Sequence, residues 1–236
     1  MSVTSDLKST TTALLTVSLL LLGCNLSKLR PGGPSSAGND NSSRSRTAFS
    51  PSSDARKDLG GAQRKLKTAY PYRLTETMST TTNGQTAMQP TTRVADFAAA
   101  DRSHMKWTGG SDMEMIRIGD KEYWRFDGKW SEYAGQFAEE QAKRGAELEK
   151  KMAEAPKEVK YVGSETVNGV PCFAYTFSLE MNLAGDTWTG TGKAWVGAAD
   201  GLPHQIDSDF KVSVYGHKSH TVYEYNVDVK VEKPVM

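Results

Sequence analysis

Three stretches in the last third of the chain alternate apolar and polar residues with a period of two. Phe173, Tyr175, Phe177, Leu179, Met181 and Leu183 fall on one side, and Thr176, Ser178, Glu180 and Asn182 on the other. Ile206, Phe210, Val212 and Val214 repeat the pattern against Asp207, Asp209, Lys211 and Ser213. Tyr223, Tyr225, Val227, Val229 and Val231 repeat it against Glu224, Asn226, Asp228, Lys230 and Glu232. Successive strand side chains point to opposite faces, so alternation of this length predicts an antiparallel sheet with one dry and one wet face. Residues 188–196 read as a further strand, with Gly190 and Gly192 on one face. Glycines in mid-strand mark curvature or a close approach.

Upstream the pattern is a meander. Tyr70, Tyr72, Leu74 and Met78 alternate with polar residues, and Asn83-Gly84 is a two-residue hairpin signal. Short strands follow over 90–99, 102–107, 113–118, 122–126 and 129–133, with Gly119-Asp120 and Asp127-Gly128 at turns. Residues 134–155 are rich in Ala, Glu, Lys and Gln and free of proline, which predicts a helix. Its apolar stripe, Phe137, Leu148 and Met152, is thin, so one face rests on the sheet and the rest is solvated. Residues 54–67 predict a short helix in spite of Gly60 and Gly61. The expected fold is α+β: a curled antiparallel β-sheet, an incomplete and open β-barrel, wrapped around one long helix and a short N-terminal helix.

The N-terminus carries a different signal. Residues 13–22 form a short apolar run behind Lys8, too short for the roughly 20 residues that span a bilayer core. The run closes on Leu21-Leu22-Gly23-Cys24, which resembles the lipobox of bacterial lipoprotein signal peptides. The expected organisation is a signal peptide over 1–23, a lipidated Cys24, a disordered Ser/Gly/Pro-rich tether over 24–60 and one β-domain over 61–236. A tether so poor in branched apolar residues cannot bury enough surface to offset its ordering entropy.

Composition excludes more than it suggests. The 236 residues hold 29 basic and 28 acidic side chains, which removes any global electrostatic case for nucleic acid. There are two cysteines. With Cys24 lipidated, Cys172 has no intramolecular partner and reads as a small buried side chain. His217 and His220 are spaced i, i+3 without further metal ligands, and surface histidines are the plainer reading. No metal or cofactor is expected. No nucleophile elbow, zinc-protease helix or phosphate loop is present, so no catalytic residue is assigned. The aromatics are the better candidates for a site. Trp107, Tyr123, Phe177 and Phe210 are expected to line an apolar concavity.

Three features together resemble the LolA-like lipoprotein carrier superfamily, which includes the mycobacterial lipid-binding lipoproteins. One is the strand ending Gly192-Lys193-Ala194-Trp195-Val196, followed by the turn Asp200-Gly201-Leu202-Pro203 and an alternating strand. Another is the strand-turn-strand from Ile116 through Tyr123-Trp124 to Trp130. The third is the closing strand from Tyr225. The resemblance spans about residues 65–236. It implies an open β-barrel with helices over its mouth, whose apolar concavity holds acyl chains.

The expected function is non-catalytic binding of a hydrophobic ligand, namely an acyl chain, a lipid or a lipidated protein. The expected setting is the bacterial cell envelope, periplasm-facing, with the outer membrane favoured by Asn25 after Cys24. The alternative is an interaction or sensor module that docks an envelope protein through the sheet surface or the 134–155 helix. An envelope hydrolase would need an acid, base and nucleophile that cannot be placed.

Overall fold

The computed structural model describes residues 48–109, 112–133, 147, 150–151, 154–183 and 186–236. The leader over 1–23, the candidate lipidation residue Cys24 and the tether as far as residue 47 lie outside the described residues. So does most of the helix predicted over 134–155, within which Glu147, Lys150, Lys151 and Glu154 are helical and exposed.

Helix α1 (Ala55–Leu66) precedes twelve strands: β1 (Tyr72–Thr82), β2 (Gln85–Thr86), β3 (Thr91–Ala99), β4 (Arg102–Thr108), β5 (Met113–Ile118), β6 (Lys121–Phe126), β7 (Lys129–Tyr133), β8 (Pro156–Val167), β9 (Val170–Leu183), β10 (Asp186–Gly197), β11 (Pro203–Val212) and β12 (Tyr215–Tyr225). They form one antiparallel sheet in the order β7-β6-β5-β4-β3-β1-β12-β11-β10-β9-β8, with β2 hairpinned onto β1. The two meanders are joined where β12 lies along β1, from Tyr72 opposite Tyr225 to Thr82 opposite Tyr215. β7 and β8 stand at the two ends of this order. The sheet is therefore open, as the strand pattern predicts.

The hairpins follow from local chemistry. Asn83 and Gly84, Asp127 and Gly128, and Asn168 and Gly169 all take positive φ, the backbone that two-residue hairpins with matching twist require. The third pair joins β8 to β9. The alternation pattern leaves β8 unassigned, because β8 is an edge strand, mostly exposed, with register shifts between Lys157 and Lys160 and between Tyr161 and Gly163. Bulges of that kind break a period-two signal.

α1 is anchored at both ends. Asp54 Oδ1 accepts from the Lys57 N–H at 3.0 Å, an N-cap that satisfies one free donor of the first turn. Leu59, Ala62 and Leu66 are buried, and the helix lies against β8, β10 and β11. Asp58, also buried, accepts from the Ser52 N–H at 2.8 Å and from the Tyr175 hydroxyl at 3.3 Å. At the other end Lys65 Nζ donates to the Asp200 carbonyl at 2.9 Å, which ties the helix to the 200–203 turn. Phe49 donates its N–H to the Ala198 carbonyl at 2.9 Å and packs its ring on Phe173, 5.8 Å between centroids. Ordered packing thus begins ahead of the residue-61 boundary drawn from composition. Residues 48–60 are held by a cap, a buried carboxylate and one aromatic ring, none of which average hydrophobicity registers.

The C-terminal alternation is also resolved differently. It predicts one strand through Val231, whereas β12 ends at Tyr225, Asn226 takes a φ of 57°, and residues 227–236 leave the ladder. Val231 is buried beside Ile116 and Tyr123, and Arg102 Nη1 donates to its carbonyl at 3.3 Å. The tail is extended and packs one side on the sheet. Period two reports extended chain with one dry side, whether or not the chain is paired.

Candidate functional site

The face of the sheet that carries α1, here the inner face, holds one continuous apolar cluster. Tyr72, Leu74, Ala95, Phe97, Met105, Trp107, Met113 and Met115 from β1 and β3–β5 pack with Tyr175, Ala194, Val196 and Ile206 from β9–β11 and with the buried side of α1. A second cluster on that face joins Met181, Trp188, Phe210 and Val212 with Ala155. Gly190 and Gly192 explain how rings lie flat here. A Cβ on Gly192 would strike the Phe177 ring, and one on Gly190 would strike Phe210 Cβ and the Asp209 carbonyl. The mid-strand glycines therefore mark close approach, one of the two predicted meanings.

Three of the four aromatics singled out from sequence stand on this face, but not together. Trp107 belongs to the main cluster and Phe177 packs at its margin, while Phe210 sits in the second cluster against Trp188, 5.5 Å between centroids. Tyr123 is on the outer face, buried under the C-terminal tail with Ile116 and Val231, and Lys233 Nζ lies 5.5 Å from its ring centroid. Its neighbour Trp124 takes the inner-face position and stacks on Trp107 at 6.2 Å. Adjacent residues of a strand must divide between faces, and the β5–β6 register pairs Trp124 with the inner-face Met115. This corrects the assignment of Tyr123 to the concavity.

The inner face also buries charge, which the sequence reading missed. Glu76 on β1 and Arg93 on β3 are opposite each other in the ladder, with side chains 2% and 1% exposed and Arg93 Nη2 2.9 Å from Glu76 Oε2. Burial pushes the Glu76 carboxyl above its ordinary value, against the opposing pull of Arg93. The signal was available: Glu76 falls in the apolar phase of Tyr72, Leu74 and Met78, and Arg93 in the phase of Ala95 and Phe97.

His217 is likewise buried, in place of the expected surface position. Its ring stacks on Phe210 at 5.0 Å and on Trp188 at 6.0 Å, with Nδ1 3.2 Å from Thr80 Oγ1. Desolvation lowers its pKa. Cys172 is buried and free, and burial pushes its thiol up to about 11, which suits a packed side chain and not a nucleophile. Among the described residues no group of three or more His, Cys, Asp or Glu side chains is placed to hold a metal.

Over β9–β12 the outer face is largely wet, as the alternation predicts, although Trp195 and Ala174 are buried on it as Tyr123 and Ile116 are. A trough of about 660 Å³ across β8–β12 is lined by the inner-face Phe177, Gly192, Ser208 and Ser219 as well as by the outer-face Lys160, Thr176, Thr191, Lys193, Asp207, Asp209 and Lys218. The outer-face side chains alternate with the buried Tyr175, Ala194, Ile206 and Thr221 and project opposite α1. Cross-strand contacts pair several of them: Lys193 with Glu165 at 2.6 Å and Lys218 with Asp209 at 3.3 Å, while His220 Nδ1 is hydrogen-bonded to Asp207 Oδ1 at 2.6 Å.

No family model matches the chain, and no curated protein matches it. Solved structures similar to it include LprF from Mycobacterium bovis, at 12% identity and a TM-score of 0.48, covering 80% of this chain and 100% of that one. The Mycobacterium tuberculosis lipoprotein LppX is similar at 10% identity and a TM-score of 0.47, covering 75% of this chain and 98% of that one. MucB, solved in complex with MucA(peri), is similar at 12% identity and a TM-score of 0.43, covering 77% of this chain and 59% of that one.

Proposed function

We propose that this chain is a lipid-anchored protein of the bacterial cell envelope, facing the periplasm, that binds a hydrophobic ligand against the inner face of its open sheet and performs no chemistry on it. The observation that carries the reading is the inner face itself. It is apolar and aromatic from β5 across to β9, and α1 lies against it at β8, β10 and β11. A broad apolar surface with a few placed polar groups is the usual make-up of a small-molecule site. The anchor rests on Leu21-Leu22-Gly23-Cys24. Asn25 favours the outer membrane as its destination.

Two experiments test this. The full chain, made in a bacterial host fed a palmitate analogue, is expected to incorporate label at Cys24 and to lose it in Cys24→Ala. Native mass spectrometry of the Cys24→Ala chain, with and without solvent extraction, is expected to reveal an extractable acyl species. A clean mass, with no uptake when acyl lipids are added, refutes ligand binding.

A second reading has an observation of its own. The charged outer face over β8–β12, or the predicted 134–155 helix, is the docking surface for an envelope protein. Crosslinking in intact cells that is lost in Lys218→Glu with Lys193→Glu, and kept in inner-face variants, supports it.

A further inference from the structure

The C-terminal tail is held to the sheet by few contacts. β12 ends at Tyr225, and Asn226 donates its N–H to the Pro71 carbonyl at 3.2 Å, with a φ of 57° that turns the chain out of the ladder. Asparagine tolerates this left-handed backbone better than most residues. Residues 227–236 then belong to no strand. Among the described residues, one hydrogen bond reaches them, from Arg102 Nη1 to the Val231 carbonyl at 3.3 Å. Val231 is also the one buried side chain of the tail. Val227 and Val229 are half-buried, and Asp228, Lys230, Glu232 and Lys233 are exposed.

The surface under the tail differs from its surroundings. Ile116 of β5 and Tyr123 of β6 are buried there, with Ala98, Ile118 and Trp130 packed around them. Next to this patch the same face is charged: Arg73 meets Asp96 at 2.6 Å, and Arg125 meets Glu114 at 2.6 Å. Val231 fills the patch. Lys233, two residues on, sets its ammonium 5.5 Å from the Tyr123 ring centroid and lies in the field of Glu132, which Lys121 also approaches at 2.7 Å. Side chains two apart fall on the same side of an extended backbone. The patch therefore reads two features of an extended chain, a β-branched apolar side chain and a cation two positions later.

A segment that is unpaired and fixed by one buried side chain opens more readily than a strand inside a ladder. Opening uncovers Ile116, Tyr123 and Trp130, an apolar patch with a charged rim, which is the make-up of a surface for another chain.

We infer that the C-terminal tail is a displaceable strap, and that the patch beneath it docks an extended segment of a partner protein in which Val or Ile is followed two residues later by Lys or Arg. The tail occupies the patch in cis, so the partner binds only the fraction of molecules whose strap is open. This surface lies on the outer face of β3–β7. It is separate from the inner face and from the charged face over β8–β12, so the readings of those two faces neither support it nor fall with it.

The test uses the full chain carrying Cys24→Ala. The probe is a fluorescein-labelled peptide with the sequence of residues 226–236, read by fluorescence anisotropy. Loosening the strap of the chain with Val231→Ser and Lys233→Glu is expected to tighten peptide binding about ten-fold or more over the unloosened chain. Lys233→Glu in the peptide is expected to weaken its binding to the loosened chain about three-fold or more. A second peptide, of Ser and Gly with an Ile in place of Val231 and an Arg in place of Lys233, is expected to bind within about ten-fold of the first, since the two anchors carry the contact. If the loosened chain does not fold, Val231→Ala alone carries the same comparisons. The inference is overturned if the loosened chain does not bind the first peptide, if the unloosened chain binds it equally well, if Lys233→Glu leaves the peptide's affinity unchanged, or if the second peptide does not bind. A chain that sediments as a dimer with its own strap intact, and dissociates when the first peptide is added, assigns the patch to the tail of a second copy and also overturns it.

Discussion

On the inner face, Glu76 and Arg93 meet at 2.9 Å with 2% and 1% of their side chains exposed. On the outer face, Lys193 meets Glu165 at 2.6 Å with 33% and 41% exposed, and Lys218 meets Asp209 at 3.3 Å with 73% and 49% exposed. The geometry is similar and the physics is not. An exposed pair exchanges one hydrated state for another, and salt screens what remains. A buried pair has lost its water, and its attraction must offset several kcal/mol per ion. In Glu76 desolvation outweighs the attraction. A sheet retains such an arrangement at a cost in stability that the outer pairs do not carry.

The comparison breaks most visibly when one inner partner is removed. Arg93→Met strands a buried carboxylate and is expected to lower unfolding free energy by about 3–5 kcal/mol in urea denaturation at pH 7. Adding Glu76→Leu to Arg93→Met is expected to restore most of the loss. A double variant no more stable than the single would mean that the pair is not the cause.

The glycines come next in size. Gly192→Val drives a branched side chain into the Phe177 ring and is expected to cost about 1–3 kcal/mol. Thr191→Val, one residue away on the outer face, is expected to stay within about 0.5 kcal/mol. Equal effects at 191 and 192 would erase the distinction between the faces.

A pH series separates the buried groups. His217 has a folded pKa below its ordinary 6.5. The unfolded chain therefore takes up that proton first, so the contribution is whole above pH 6.5 and is lost as pH falls below it, by at most about 1.4 kcal/mol per pH unit. Glu76 has the opposite sign. Its folded pKa is raised, so its contribution is whole below about pH 4.5 and is lost as pH rises through the folded value. Denaturation curves between pH 6.5 and 5.5 are expected to fall for wild type and to flatten in His217→Phe. The smallest effect belongs to the outer face, where Lys218→Ala is expected to change stability by less than about 0.5 kcal/mol at any ionic strength.

How far these features could be read in advance varies with their physical origin. The long strands were legible because one dry face writes a period of two into Phe173–Leu183 and Ile206–Val212 alike, and the turns because Asn83-Gly84 and Asp127-Gly128 carry positive φ locally. β8 was not, since an exposed, bulged edge strand has no dry face to impose a period. Tyr123 and Trp124 are adjacent in a strand and must diverge, but the side each takes depends on the register of β5 against β6. His217 was placed at the surface because its polarity was visible and its stacking partners were not. The Glu76–Arg93 pair was half visible, as charges in the apolar phase of two strands. That they oppose each other is a fact of pairing.

The sequence by itself determined the open antiparallel sheet, its wet and dry faces and the helix before it, because each is encoded in neighbouring residues through period, turn chemistry or composition. The tertiary structure alone decided that Arg93 and Glu76 oppose each other, that the C-terminal tail lies over Tyr123, and that α1 with Phe49 locks onto the 200–203 turn. Those arrangements come from strand order and register, which join residues far apart in the chain. No local pattern carries that information.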